Sequence, residues 1–146
     1  MLHGNVLVYV SIGSELSTAY LIDKLMKRND VTVYVPLTED GLITAVRLIE
    51  PTAADKLGNI GRECYAMENA ETAIDCCVTP LLGYNGRGYR IGYGKGCYDK
   101  LFSGGSTRVL KKIGLAFDCQ RCEFTADKHD VALDMCVTES GIEVFS

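Results

Sequence analysis

The strongest constraint on the fold is a series of short apolar runs that end in turn residues. Asn5-Val6-Leu7-Val8-Tyr9-Val10 is apolar and β-branched without alternation, the pattern of a strand buried on both faces. Residues 11–14 turn the chain. Ser17 is placed to cap a helix reaching about Asn29, in which Leu21, Ile22, Leu25 and Met26 recur at helical spacing. Residues 31–35 form a second buried strand, ended by Pro36. Strand, helix and strand make a βαβ unit, which implies parallel strands and a right-handed crossover. Residues 42–49 read as an additional strand, and 51–72 as polar and irregular with one short strand near Ile60. Residues 74–79 form a third core strand that ends at Pro80. A helix starts at Tyr98 and runs to about Phe102 or further, 112–117 is another strand, and 131–146 ends in a hairpin turning at Glu139-Ser140-Gly141. The expected fold is one α/β domain over residues 1–146, a three-layer α/β/α sandwich with a mostly parallel, Rossmann-like central sheet. Ligands of such sheets sit beyond the carboxyl ends of the strands. Residues 11–15 and 80–98 both follow strands, so both are expected to face one crevice.

With 146 residues the chain can bury a proper core as one domain. Its net charge of −4 and lack of a basic tract argue against nucleic acid as a partner, so an anionic substrate must be met by a local basic site. No apolar run approaches the ~20 residues that span a bilayer, so no membrane partner is expected. Met1-Leu2-His3-Gly4 lacks the basic start and long apolar stretch of a signal peptide, and a cytoplasmic location is expected. The odd count of seven cysteines then reads as mostly reduced thiols, with Cys76-Cys77 buried in an apolar run. Cys119-Gln-Arg-Cys122 has the spacing of a zinc or redox pair, but zinc needs about four ligands and only His129 lies nearby with suitable chemistry.

The chemistry concentrates in Arg90-Ile91-Gly92-Tyr93-Gly94-Lys95-Gly96-Cys97-Tyr98-Asp99. Alternating glycines let backbone N–H groups come close to a ligand, and such a loop leading into a helix suits phosphate oxygens. Arg90 and Lys95 add positive charge, and Asp99 could hold the Mg²⁺ that accompanies a nucleoside triphosphate. The same pattern also suits a glycine-rich turn capping an ordinary helix, with Arg90 and Lys95 as solvated surface charges.

The chain resembles the 5-formyltetrahydrofolate cyclo-ligase (methenyltetrahydrofolate synthetase) family. The run Gly88-Tyr89-Arg90-Ile91-Gly92-Tyr93-Gly94-Lys95-Gly96-Cys97-Tyr98-Asp99 is similar to that family's G-x-R-L-G-x-G-x-G-Y-Y-D signature. Three collinear matches accompany it: Val8-Tyr9-Val10-Ser11 through Glu15 and Thr18, Gly114-Leu115-Ala116-Phe117 through Gln120, and His129-Asp130-Val131 with Val137-Thr138-Glu139. The resemblance implies ATP-dependent conversion of 5-formyltetrahydrofolate to 5,10-methenyltetrahydrofolate, with Mg²⁺, ATP as co-substrate, and release of ADP and phosphate. Carried over, Arg90 and Lys95 are the catalytic cations, and the loop Arg90, Ile91, Gly92, Tyr93, Gly94, Lys95, Gly96, Cys97 and Tyr98 binds ATP. Val10, Glu15, Tyr93 and Tyr98 contact the folate, and Asp99 and Asp130 bind Mg²⁺. A monomer or homodimer is expected. Family members begin with a cationic N-terminal helix that reaches the phosphates, whereas this sequence enters its first strand by Asn5. Weakened ATP binding is therefore expected, with a catalytically weak or inactive nucleotide- or folate-binding module as the alternative. Cys97 replaces the first signature tyrosine, and Arg62-Glu63-Cys64 stands where an acid–proline pair is common.

Overall fold

A computed structural model of the chain describes residues 2–48, 65–67, 73–104 and 107–146, with backbone only for 65–67. The short strand expected near Ile60 and the Arg62-Glu63-Cys64 segment lie outside the described residues. Ten strands and two α-helices are described, in the order β1 (Gly4–Val8), α1 (Ala19–Met26), β2 (Val31–Glu39), β3 (Leu42–Leu48), β4 (Tyr65–Met67), β5 (Ala73–Thr79), β6 (Gly83–Tyr84), β7 (Arg90–Ile91), α2 (Cys97–Phe102), β8 (Arg108–Leu115), β9 (Met135–Thr138) and β10 (Gly141–Val144), with one 3-10 turn at Asp118–Gln120 after β8.

Eight strands form one sheet in the order β10-β9-β8-β5-β1-β2-β3-β4. The centre is parallel: β1 pairs with β2 and β5, β5 with β8, and β8 with β9. Both flanks are antiparallel, β2–β3–β4 on one side and β9–β10 on the other. The apolar runs explain the layering. Successive side chains in a strand point to opposite faces. Val6, Val8, Val33, Val35, Cys76 and Val78 therefore meet Ile22 and Leu25 of α1 on one face. Leu7, Tyr34, Ala45 and Cys77 meet Leu101 of α2 on the other. Helices thus cover both sides of a mostly parallel sheet, as the sequence pattern predicts.

Three details differ from the sequence expectation. The first helix starts at Ala19 with Thr18 at its N-cap; Ser17 lies one residue earlier, and its Oγ accepts the Ala19 N–H at 3.4 Å. Thr18 is buried because its hydroxyl donates to the Tyr9 carbonyl at 2.6 Å, and its Oγ1 accepts the Ser11 N–H at 3.2 Å. These bonds anchor the loop after β1. The second strand does not stop at Pro36 but continues to Glu39. Its pairing with β1 ends at Tyr34, so Pro36 lacks a neighbour on that side and its missing N–H is tolerated there. The third difference is at α2, which starts at Cys97, one residue before the expected Tyr98, and ends at Phe102 as Ser103 and Gly104 turn the chain away. Among the described residues no helix is long and apolar enough to cross a membrane.

Candidate active site

The carboxyl ends of β1, β2 and β5 open into a cleft of about 1260 Å³. Every residue expected to bind ATP, folate or Mg²⁺ lines it: Val10 and Glu15 after β1, the stretch from Arg90 through Asp99, and Asp130. Sequence reasoning missed the β2–β3 hairpin, which adds Pro36, Thr38 and Ile43 to the wall. Its tight turn, with Asp40 and Gly41 both at positive φ, folds β3 back beside β2, and the Asp40-Gly41 pair is the sequence signal that could have revealed it. Lys100, Lys128 and His129 also line the cleft.

Arg90 is the most constrained of these side chains. It is only 7% exposed. Its Nη1 donates to the Pro80 carbonyl at 3.4 Å, and its guanidinium carbon lies 5.0 Å from the centre of the Tyr98 ring. Its Nε is buried with no partner among the described residues. A buried cationic N–H without an acceptor is costly, so this arrangement favours a ligand that brings one. Gly92 leaves room for it, since a Cβ there would lie 2.9 Å from Arg90 Nη1 and push the guanidinium aside. Gly94 and Gly96 hold φ of +90° and +64°, which L side chains rarely adopt, and between them Lys95 is exposed. Burial pushes the Tyr98 phenol well up despite the nearby Arg90 charge, so Tyr98 is neutral and its ring backs the guanidinium.

Facing this wall, Glu15 accepts the Ile12 N–H at 2.7 Å through Oε1, which fixes the carboxylate at the loop tip. Burial, and then contact with the Glu15 carboxylate, raises the Tyr93 phenol. Tyr9 is raised for the same two reasons in the same order, and its hydroxyl donates to the Leu16 carbonyl at 2.6 Å. Glu15 therefore sits among neutral phenols. Val10 is half-buried beside them and Cys97 is half-buried at the start of α2.

Asp99 and Asp130 come from segments far apart in sequence. Asp99 Oδ1 accepts the Val131 N–H at 3.1 Å, so the residue next to Asp130 is bonded to the other carboxylate. Asp130 Oδ2 accepts the Asp127 N–H at 2.8 Å within its own turn. No group of three or more His, Cys, Asp or Glu suited to a metal occurs among the described residues, and Cys119 and Cys122 are exposed free thiols. Two carboxylates are still a hard, oxygen-only donor set. That set fits Mg²⁺, which takes one or two carboxylates and completes its shell with water and phosphate oxygens.

Comparison with known proteins follows the same line. The profile of the 5-formyltetrahydrofolate cyclo-ligase family matches residues 3–139. The 5-formyltetrahydrofolate cyclo-ligase of Mycoplasma pneumoniae is 44% identical over 66 residues, covering 45% of this chain and 40% of that protein. The Haemophilus influenzae 5-formyltetrahydrofolate cyclo-ligase is 29% identical over 136 residues, 88% of this chain and 72% of that one. The solved structure of a 5,10-methenyltetrahydrofolate synthetase from Mycoplasma pneumoniae superposes with a TM-score of 0.70 at 26% identity, covering 92% of this chain and 72% of that one. The match thus spans about two fifths of the first relative's length and 72% of the others'. The chain belongs to the 5-formyltetrahydrofolate cyclo-ligase family.

Proposed function

We propose that this chain carries out its family's reaction, the ATP-dependent cyclisation of 5-formyltetrahydrofolate to 5,10-methenyltetrahydrofolate with release of ADP and phosphate. The observation that carries the reading is the buried, unpartnered Arg90 Nε at the edge of the glycine loop, in the cleft that Asp99 and Asp130 line.

The formyl oxygen is a poor leaving group as it stands. In the first step it attacks the γ-phosphorus of ATP, and ADP leaves. In the second, N10 adds to the activated formyl carbon and releases its proton to solvent, the carbon–oxygen bond breaks and phosphate departs. Little covalent work falls to the protein, so positioning and charge neutralisation dominate. Arg90 and Lys95 hold the transferring phosphoryl group, Arg90 with its fork and Lys95 as a mobile point charge. The amides around Gly92, Gly94 and Gly96 approach the phosphates where side chains would block them. Asp99 and Asp130 hold Mg²⁺, which when bound neutralises the phosphate charge. Glu15 orients the folate near N10, while Val10, Tyr93 and Tyr98 supply its apolar wall. The folate is the expected small-molecule partner, in the cytoplasm, with the chain acting as monomer or homodimer.

The test is to mix the protein with Mg²⁺, ATP and 5-formyltetrahydrofolate. The near-UV absorbance of the methenyl product is then followed together with ADP formation. Both should rise with equal stoichiometry. Nucleotide uptake without methenyl product would leave a binding module and overturn the enzymatic reading.

A further inference from the structure

Asn85 lies in the turn between β6 and β7 and is 4% exposed. Its Oδ1 accepts the backbone N–H of Arg87 at 3.0 Å and of Tyr89 at 3.1 Å. Its Nδ2 donates to the Phe124 carbonyl at 3.3 Å. Its own N–H donates to the Tyr89 carbonyl at 3.0 Å, and its carbonyl accepts the Gly88 N–H at 3.1 Å. One side chain therefore closes a turn and also reaches a second segment.

Both bonds bear on the cleft. β6 and β7 have two residues each, and a hairpin that short has no stability of its own. Its register pairs Tyr84 with Arg90, and a slip of one residue would send the Arg90 side chain to the opposite face. The turn that Asn85 closes is what sets this register. The second segment runs from 122 to 133 and brings Asp127, His129 and Asp130 to the cleft. Three hydrogen bonds fasten it to the hairpin: Cys122 N–H to the Tyr84 carbonyl at 2.8 Å, Asn85 Nδ2 to the Phe124 carbonyl, and Leu133 N–H to the Gly88 carbonyl at 2.8 Å. The middle one is made by a side chain, and together with the Leu133 bond it flanks the Asp127–Asp130 turn.

We propose that Asn85 is a positioning residue for the phosphate end of the cleft, holding Arg90 in register and fixing the Asp130 segment opposite it. The inference rests on the nucleotide-binding reading above. It makes Asn85 act chiefly on the nucleotide, because Val10 and Glu15 of the folate wall belong to the separate loop after β1.

Asn85→Asp separates the two bonds. It keeps an oxygen for the Arg87 and Tyr89 N–H groups but replaces the donor to Phe124 with a carboxylate oxygen. Protonating that carboxyl restores a donor. A cavity of about 430 Å³ adjoins the site, and the introduced group would face Arg87, Tyr89, Glu123 and Asp127 there. Burial and the two nearby acids raise its pKa above the usual carboxylate range, while Arg87 pulls it partway back. Binding is read by calorimetry as the variant-to-wild-type ratio at each pH, with Mg-ATP and with 5-formyltetrahydrofolate separately, so turnover is not needed. At about pH 8 the ATP dissociation constant should rise about tenfold, the scale of one lost charge-linked contact, while the folate constant stays within about twofold. At about pH 5.5 the ATP ratio should fall back to within about threefold. Asn85→Ser, whose hydroxyl is too short to span to Phe124, should show the same ATP loss at both pH values; this variant also carries the test if Asn85→Asp does not fold. An unchanged ATP affinity in both variants, equal losses for both ligands, or an Asn85→Asp loss that ignores pH would overturn the proposal. Wild-type protein that binds ATP but never forms methenyl product defeats the ligase reading alone and leaves this result standing.

Discussion

Arg90 and its neighbours show how much one position can depend on another. The guanidinium is held between the Pro80 carbonyl and the Tyr98 ring, and Gly92 leaves the space it occupies. Gly92 does not have a positive φ, so Gly92→Ala strains no backbone. It pushes the guanidinium instead. The KM for ATP should rise about tenfold, from the loss of one charge-assisted bond, with the melting temperature shifted by only a few degrees. Equal rises in the ATP and folate constants would argue against a phosphate role for Arg90. Asp99 is tested better by Asn than by Ala. Asn keeps an oxygen for the Val131 N–H and removes only the charge. Asp99→Asn should lower turnover about a hundredfold, the scale of losing one preorganised charge, while thermal unfolding stays close to wild type. Full activity in this variant would remove the metal assignment.

At the scale of elements, the sequence was legible where burial alone decides structure. β1, β5 and the core of β2 are read from largely apolar runs, and α1 from the spacing of Ile22 and Leu25. The candidate site was legible because its signature residues are contiguous from Arg90 to Asp99. What stayed hidden depends on partners distant in sequence. Pro36 lies inside β2 because β1 has already ended beside it, which composition cannot show. The β6–β7 hairpin has two-residue strands, too short for any periodicity. Asn85-Gly86-Arg87-Gly88 has the residues of a turn, but that the same asparagine also bonds Phe124 is a tertiary fact. The helices make this division testable. Leu25 of α1 and Leu101 of α2 are both buried, on opposite faces of the sheet. Either one changed to Ala should cost about 2–5 kcal/mol of unfolding free energy. Leu101→Ala should also raise the KM for ATP, because a helix of six residues relies on packing and carries Asp99. Leu25→Ala should leave that KM unchanged in the surviving folded fraction. Steady-state kinetics at a temperature well below both melting points distinguishes them, and identical kinetic effects would mean that α2 does not position Asp99.

The whole molecule divides its charges between the core and the cleft, and this gives its stability a direction in pH. Beneath the site the sheet buries Cys77, and toward its edge Cys136; burial pushes both thiols up from 9 to about 12. Tyr9 and Tyr98 are raised as well, again chiefly by burial. For Cys77 the cations Arg90 and Lys112 pull the other way and lose to desolvation. In the unfolded chain these thiols ionise near 9, so below that pH both states hold their protons and stability is undiminished. As pH rises toward about 12, the unfolded chain sheds protons that the native state keeps, and unfolding becomes progressively more favourable. Each buried thiol contributes a fall of about 1.4 kcal/mol per pH unit in that window at most, with the phenols joining above about pH 10. The urea midpoint should therefore be flat from about pH 7 to 8.5 and drop steadily from about pH 9 to 10.5. Cys77→Ala, which removes one of the two thiols, should make that drop visibly shallower at unchanged ionic strength. A midpoint that holds constant to pH 10.5, or a Cys77→Ala slope as steep as wild type, would mean that the thiol beneath Arg90 is not kept neutral by burial. The cleft's positive charge would then reach further into the sheet than this division allows.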